Sequence, residues 1–122
     1  MRPDCAFLGS PLHIDTSLAT PMPLGTQAII YLTDTPADHG ALQVLPGFQR
    51  GFDAWIAGLN GADPRQVDLT AGTVPVPGRA GDMVIWHHAL PHGATPNRGT
   101  TPRIVQYLNF APPTVVDARP WI

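Results

Sequence analysis

The chain has 122 residues and a formal net charge of −2, and charged side chains make up only 13% of it. This length allows one domain, and the lack of a basic patch argues against nucleic acid as a partner. No apolar run reaches the roughly 18 residues that span a bilayer, so no membrane insertion is expected. The single cysteine, Cys5, excludes an internal disulfide and favours the cytoplasm as the location.

Turn-forming residues divide the chain into short pieces. Its 12 glycines and 15 prolines stand between brief apolar runs, without a repeating period. That distribution is typical of many short strands joined by turns. We therefore expect an all-β sandwich or barrel of about seven strands and one short helix, as a single domain over 1–122.

The first residues with chemical potential are His13 and Asp15, separated by Ile14. Alternation along a strand puts His13 and Asp15 on one face, where an imidazole and a carboxylate can reach the same ion. The pattern alone is weak evidence, because a surface turn with a capping aspartate gives the same letters.

Two strand-like runs follow, at 25–33 and 41–45, and the turn between them predicts a hairpin. Either of two alternating sets in the first run can face inward. We favour the set that contains Gln27 and Tyr31. The other set is Thr26, Ala28 and Ile30.

A helix is predicted near 51–60, because Phe52, Trp55, Ile56 and Leu59 recur at helical spacing. Asn60-Gly61 would end it. The run 73–77 contains two prolines, which restrict it to the edge of a sheet.

The second half of the chain carries another histidine and an arginine between strands. Runs at 83–87 and 102–110 predict strands, with His92 beyond the end of the first and Arg103 at the start of the second. His13, Asp15 and His92 together are two imidazoles and a carboxylate, the ligand set of non-haem Fe(II) oxygenases. We expect their ligating atoms to converge on one point, at about 2.0–2.2 Å.

Three motifs, taken in order, resemble the phytanoyl-CoA dioxygenase (PhyH-like) family of Fe(II)/2-oxoglutarate oxygenases. They are the His-x-Asp pair at 13–15, GALQVLPG at 40–47 and HGATPNRGTTPR at 92–103. The resemblance runs from about Leu12 to Ala111 and implies a double-stranded β-helix, a jelly roll of two sheets. It also implies that His13, Asp15 and His92 bind the iron.

The resemblance further makes Arg103 the partner of the distal carboxylate of 2-oxoglutarate, which a guanidinium fork binds with two parallel bonds. Alternation places Tyr107 on the same face as Arg103, beside the cosubstrate, with Gln27 and Tyr31 on the facing strand. Arg98 is the rival arginine, but its position in a turn favours a solvated side chain.

Other polar residues near His92 are expected to have lesser roles. Asn97 should hold its turn through side-chain-to-backbone hydrogen bonds. One of His87 and His88 is expected to face the site and the other solvent, and neither is expected to contact iron or substrate. Trp86 is predicted to lie in the core.

The resemblance implies an O2-dependent hydroxylation of a small organic or lipid-like substrate, with release of succinate and CO2. Halogenating relatives have a small residue in place of the carboxylate, so Asp15 favours hydroxylation. The alternative is a catalytically inactive or cupin-like binding module of the same fold. Family members usually carry helices and strands ahead of His-x-Asp, so we expect these to be missing here. An uncovered sheet face and self-association are expected to follow.

Overall fold

The computed structural model describes residues 9–111 and 118–122. The strands are β1 Ser10–His13, β2 Thr26–Tyr31, β3 Leu42–Val44, β4 Val74–Val76, β5 Met83–His87, β6 His92–Ala94 and β7 Val105–Phe110. One α-helix, α1, covers Phe52–Gly58, and short 3-10 turns cover Phe48–Gly51 and Pro64–Gln66. The expected number of strands and the helix near 51–60 are therefore confirmed within the described residues.

The strands form two antiparallel sheets with the orders β1-β6-β3-β4 and β5-β2-β7. Their inner faces meet in one hydrophobic cluster, to which β2 contributes Ile29 and Tyr31 and β3 contributes Leu42 and Val44. Burial of these apolar side chains between the sheets is the main force that holds the layers together. The predicted all-β sandwich is confirmed, and β4, with its proline, lies at a sheet edge as predicted.

The predicted hairpin between the second and third strands is wrong. β2 pairs with β5 and β7, whereas β3 pairs with β4 and β6 in the other sheet. Local sequence signals mark where strands begin and end, but the partner of each strand depends on burying apolar faces from both layers. The connection between β2 and β3 crosses the sandwich, with a backbone bridge from Thr35 to Gly78 on the way.

A short strand occupies the segment that the sequence indicated as turn-rich. His92, Gly93 and Ala94 form β6, which is fully buried and pairs with β1 and β3. No residue in it is β-branched, so its strand propensity is low, and its pairing is imposed by the neighbours on both sides. Gly93 is required there because a Cβ atom would lie 2.8 Å from the carbonyl oxygens of Ser10 and Pro11.

Helix α1 supports the chain segment that follows β1. Phe52 is buried with Ile14, Leu18 and Ala89 in a second hydrophobic cluster, against which Trp55 packs. The helix is followed by left-handed residues at Asn60 and Gly61, with φ angles of 50° and 86°. No helix among the described residues is long and apolar enough to cross a membrane.

The outer face of the three-stranded sheet is apolar and largely uncovered. Register places Met83, Ile85 and Phe110 on this face, and their side chains are 45%, 58% and 46% exposed. β7 also has no described strand on its second edge. Both features agree with the expected open edge and uncovered patch.

Candidate active site

A cavity of about 250 Å³ lies between the two sheets. Its wall includes the polar side chains of Ser10, His13, Asp15, Gln27, His92 and Asn109, together with Leu42, Trp86 and Tyr107. All three ligands expected from the sequence therefore line the same space. Two of them are provided by β1 and the residues just after it, and the third begins β6.

The two histidines of the cavity are direct partners across β1 and β6. His13 pairs with His92 in the strand register, and their ring centroids are 4.5 Å apart. Nδ1 of His92 donates to the Leu90 carbonyl oxygen at 3.0 Å, and Nδ1 of His13 donates to the Pro11 oxygen at 3.3 Å. Since a carbonyl oxygen only accepts, each neutral ring keeps its lone pair on Nε2, which is the nitrogen available to a metal.

The His92 ring is held in its neutral form by its surroundings. Its side chain is 5% exposed, and the Trp86 ring lies 5.0 Å away, centroid to centroid. Burial lowers the pKa of His92, and the nearby His13 lowers it further. The bond to Leu90 and the charge of Asp15 act in the opposite direction without reversing the shift.

The expected convergence of the three ligating groups is not present in the side chains as they stand. Within 9–111 and 118–122, no three His, Cys, Asp or Glu side chains are grouped closely enough to hold a metal ion. His13 and Asp15 are exposed, and a carboxylate in contact with water is stable without a partner. The donor set itself fits Fe(II), because two imidazoles and one carboxylate line one cavity.

Arg103 lies two residues before β7 begins at Val105, whereas the predicted strand 102–110 included it. Its Nη2 donates to the Tyr107 hydroxyl at 3.3 Å, and Tyr107 lines the cavity. The side chain of Arg103 also lies over Gly40, where a Cβ atom would be 3.6 Å from its Cδ. Arg98, by contrast, is exposed in its turn, as expected for a solvated side chain.

Gln27 and Tyr31 both lie on the inner face of β2, the alternation that the sequence analysis favoured. Gln27 lines the cavity, donates from Nε2 to the Asp15 carbonyl and accepts from Trp86 Nε1, each at 3.1 Å. Tyr31 is completely buried, and its hydroxyl donates to Val76 O at 2.6 Å and accepts from the Leu42 N–H at 3.0 Å. These bonds connect β2 to the other sheet, and Tyr31 itself does not line the cavity.

The remaining histidines do not line the cavity. Nδ1 of His87 accepts from the Ala89 N–H at 3.0 Å, and Nε2 of His88 donates to the Pro23 oxygen at 2.7 Å. Burial lowers the pKa of His87, and the neighbouring His88 adds to that shift.

Asn97 holds its turn as predicted, with one bond to the Thr101 oxygen and one from the Gly99 N–H. Trp86 is a core residue, also as predicted, and one side of it faces the cavity.

Sequence reasoning missed other residues of the site. Asn109 lines the cavity because it pairs in register with Gln27 on β2, and alternation from Tyr107 would have found it. Ser10 lies at the start of β1, where its hydroxyl accepts from the Ala94 N–H at 2.9 Å. Arg65 holds the backbone beside Asp15, and no pattern in the sequence indicated it.

Comparison with protein families identifies the kind of protein to which this cavity belongs. The family model described as Phytanoyl-CoA dioxygenase (PhyH) matches residues 5–105. The chain belongs to the phytanoyl-CoA dioxygenase family. The resemblance carried by the three motifs is thereby confirmed, and the sandwich is the double-stranded β-helix of that family.

Relatives in this family are longer than the chain. A Dictyostelium discoideum protein that carries the provisional name phytanoyl-CoA dioxygenase is 24% identical over 103 residues. The match covers 78% of this chain and 29% of that protein. The present chain therefore spans less than a third of that relative.

Solved structures of similar fold include enzymes that use alpha-ketoglutarate, another name for 2-oxoglutarate. SnoN, a non-haem alpha-ketoglutarate-dependent epimerase from nogalamycin biosynthesis, is 26% identical with a TM-score of 0.64, covering 88% of this chain and 41% of SnoN. AviO1 from Streptomyces viridochromogenes is 26% identical with a TM-score of 0.66, covering 93% and 48%. SnoN has been crystallised with Fe3+ and alpha-ketoglutarate. The chain spans less than half the length of these proteins.

Proposed function

We propose that the chain, as one domain over 1–122, forms the catalytic centre of an Fe(II)- and 2-oxoglutarate-dependent dioxygenase. The reaction is hydroxylation of a small organic or lipid-like substrate, with release of succinate and CO2. The observation that carries this proposal is the cavity shared by His13, Asp15 and His92, where Nδ1 of each ring is hydrogen-bonded to a backbone carbonyl oxygen and Nε2 is the nitrogen left for a metal. The Fe3+ and alpha-ketoglutarate found with SnoN support the same pair of cofactors.

In this proposal His13, Asp15 and His92 hold the iron. When bound, the iron supplies the redox chemistry that couples O2 and 2-oxoglutarate to substrate oxidation. The protein contributes two oriented imidazoles, because Leu90 and Pro11 fix the proton of each ring on Nδ1. Asp15 contributes a hard oxygen donor and the negative charge that favours a cation over other ligands.

Arg103 is proposed to bind the distal carboxylate of 2-oxoglutarate. Among the described residues its guanidinium contacts only the Tyr107 hydroxyl, so N–H groups of the fork remain to bind a carboxylate. Tyr107 connects Arg103 to the cavity and is 57% exposed, which lets its ring adjust to a bound dicarboxylate. Gln27 and Tyr31 would support this pocket from β2, Gln27 at the cavity wall and Tyr31 through the packing behind it.

Apolar side chains would limit access of water to the reacting groups. Leu42 and Trp86 are 2% and 6% exposed and form the closed side of the cavity. A dry wall strengthens electrostatic attraction between the ligands and a cation. It also suits a substrate whose reacting part is a hydrocarbon group.

A binding module of the same fold is the alternative function. The observation that favours it is the exposed Asp15, which does not yet form a closed ligand group with His13 and His92. The two functions differ in a simple measurement. A binding module would take up small molecules without converting 2-oxoglutarate to succinate.

An anaerobic titration with Fe(II) and 2-oxoglutarate tests the proposed function. Binding of 2-oxoglutarate to iron should produce a weak visible charge-transfer band that saturates at one equivalent of each component. Asp15→Ala should abolish the band, and Asp38→Ala, a surface change beside His39, should leave it intact. A chain that gives no band and no succinate in air would refute the oxygenase function.

We also propose the cytoplasm as the location, in keeping with the single cysteine. Self-association through the face that carries Met83, Ile85 and Phe110 is proposed because these side chains are exposed together.

A further inference from the structure

The backbone on both sides of Asp15 is held by one distant side chain. Arg65 donates from Nη1 to the Ile14 carbonyl oxygen and from Nη2 to the Thr16 carbonyl oxygen, each at 2.9 Å. The carbonyl between them, that of Asp15, accepts from Gln27 at 3.1 Å. Three consecutive peptide carbonyls are therefore bound by side chains just after β1 has ended.

The guanidinium of Arg65 is itself fixed in place. Asp63 caps the 3-10 turn Pro64–Gln66 by accepting from the Arg65 N–H at 3.0 Å, and Pro64 restricts the backbone at the first position. The guanidinium carbon lies 4.8 Å from the centre of the Trp121 ring, and Nη2 also donates to the Ile122 oxygen at 2.6 Å. Although Arg65 is exposed, both its backbone N–H and its guanidinium are held by neighbouring groups.

A second arginine extends the same support along the chain. Arg119 donates from Nη1 to the carbonyl oxygens of Ser17 and Ala19, at 3.2 and 3.0 Å. The Leu18 N–H donates to the Ile122 oxygen at 3.3 Å. The stretch from Ile14 to Ala19 is thus bound on its outer side by arginines and by the chain around 119–122.

We infer that Arg65 is a positioning residue for Asp15, and this inference rests on the proposed function. Arg65 fixes the peptide plane before Asp15 through the Ile14 oxygen, and Gln27 fixes the plane after it through the Asp15 oxygen. The second bond of the fork, to the Thr16 oxygen, holds the following peptide. Asp15 is exposed, so its aim toward the cavity depends on the backbone that carries it. Groups that orient a metal ligand from behind are commonly as necessary as the ligand's own donor atom.

A lysine cannot replace this arrangement. Its single ammonium group keeps the positive charge but does not reach two carbonyls two residues apart with fixed, coplanar bonds. Arg65→Lys therefore separates the geometry of the fork from its charge. Arg50→Lys is the matched control, because Arg50 is exposed and its guanidinium has no hydrogen bond or ion pair with the described residues.

The test has two measurements. Cobalt(II) binding is followed by the visible absorption of the metal. The carbonyl 13C chemical shifts of Ile14 and Thr16 are measured in the metal-free chain. We expect Arg65→Lys to move both carbonyl shifts and to weaken cobalt(II) binding by about 10-fold or more, the usual effect of removing such support. Arg50→Lys should change neither. Affinities are compared well below each variant's melting temperature, so that loss of folded protein does not imitate loss of affinity.

Each outcome separates the inference from the function on which it rests. Shifted carbonyl resonances with unchanged cobalt(II) affinity would show that Arg65 only stabilises the fold, and the positioning role would be refuted. Unchanged resonances would refute the contact itself. If the native chain does not bind cobalt(II) at all, the metal site fails, and the proposed function fails with it.

Discussion

His13 and His92 stand opposite each other on β1 and β6, with ring centroids 4.5 Å apart. Their separation along the chain is large, so a single strand pairing creates the histidine pair of the cavity. That pairing depends on Gly93, next to His92, because a Cβ there would press on the carbonyl oxygens of Ser10 and Pro11 at 2.8 Å. The register of two short strands thus controls the chemistry of the site.

Gly93→Ala should therefore damage both the fold and metal binding. The obstructing atoms belong to backbone, which cannot rotate away, so we expect overpacking to cost about 1–3 kcal/mol of unfolding free energy. β1 would have to move away from β6, which separates the two imidazoles. Urea unfolding and cobalt(II) titration measure the two effects.

Gly58→Ala is the matched control for that substitution. Apart from the backbone of its own helix and its chain neighbours, no atom lies within 4 Å of the position its Cβ would take, and Gly58 is the last residue of α1. Alanine is the better helix former by roughly 0.5–1 kcal/mol, so stability should stay the same or rise. Equal effects of the two alanines would contradict the role assigned to the β1–β6 contact.

Asp15→Asn should remove iron-dependent activity while leaving the fold unchanged. The amide keeps the shape of the carboxylate but loses its charge and its strength as an oxygen donor. Because Asp15 is exposed, the free energy of unfolding should change by no more than about 0.5 kcal/mol. Succinate formation measures the activity, and a thermal melt measures the stability. Asp38→Asn serves as the surface control.

Arg103→Lys should weaken binding of 2-oxoglutarate although the charge is retained. Loss of one charge-assisted hydrogen bond costs about 1.5–3 kcal/mol, which corresponds to a roughly 10- to 100-fold increase in Kd. Arg98→Lys should have little effect, because that side chain is exposed in its turn. Isothermal titration with 2-oxoglutarate distinguishes the two, and a reversal of their effects would transfer the role to Arg98.

Much of the fold could be predicted because the strongest strands carry their own signals. β2 and β5 are runs of aliphatic and aromatic residues, and the helix shows its periodic Phe52 and Trp55. β6 could not be predicted, since His-Gly-Ala has no local preference for a strand and is held there by two neighbours. The wrong hairpin has the same origin, because pairing between layers is decided by burial over long distances.

The candidate site shows a similar division. The sequence indicated the types and the order of the residues that are proposed to bind the metal, and it also indicated the inward set with Gln27. The bonds from Arg65 to the backbone beside Asp15 join residues about fifty positions apart, and they use main-chain carbonyls that any sequence provides. Nothing in residue type or spacing could reveal such contacts.

Acidification should destabilise the metal-free chain. The pKa of His92 is lowered in the folded state, mainly by burial, whereas in the unfolded chain it returns to its ordinary value of 6.5. The unfolded state therefore binds a proton more readily than the folded state. As a result, the free energy of unfolding decreases as the pH falls below 6.5. The lowered pKa of His87 acts in the same direction.

Urea unfolding at pH 7.5 and pH 5.5 measures this effect. The native chain should lose more free energy between the two conditions than His92→Gln, which has no ionisable ring at that position. An equal loss in both proteins would show that His92 does not contribute to the pH dependence.

The uncovered face of the three-stranded sheet should make the chain self-associate. Met83, Ile85 and Phe110 project from the same face, and no described strand pairs with the second edge of β7 beside it. Sedimentation velocity should show a concentration-dependent larger species, and Ile85→Lys should shift it toward the monomer. Val74→Lys should not, because Val74 is also exposed, at 46%, but lies on β4 of the other sheet. A monomer at all concentrations would show that this face is stable in water without a partner.

Cobalt(II) should raise the melting temperature whether the chain is monomeric or associated, because binding to the folded chain alone shifts the equilibrium by mass action.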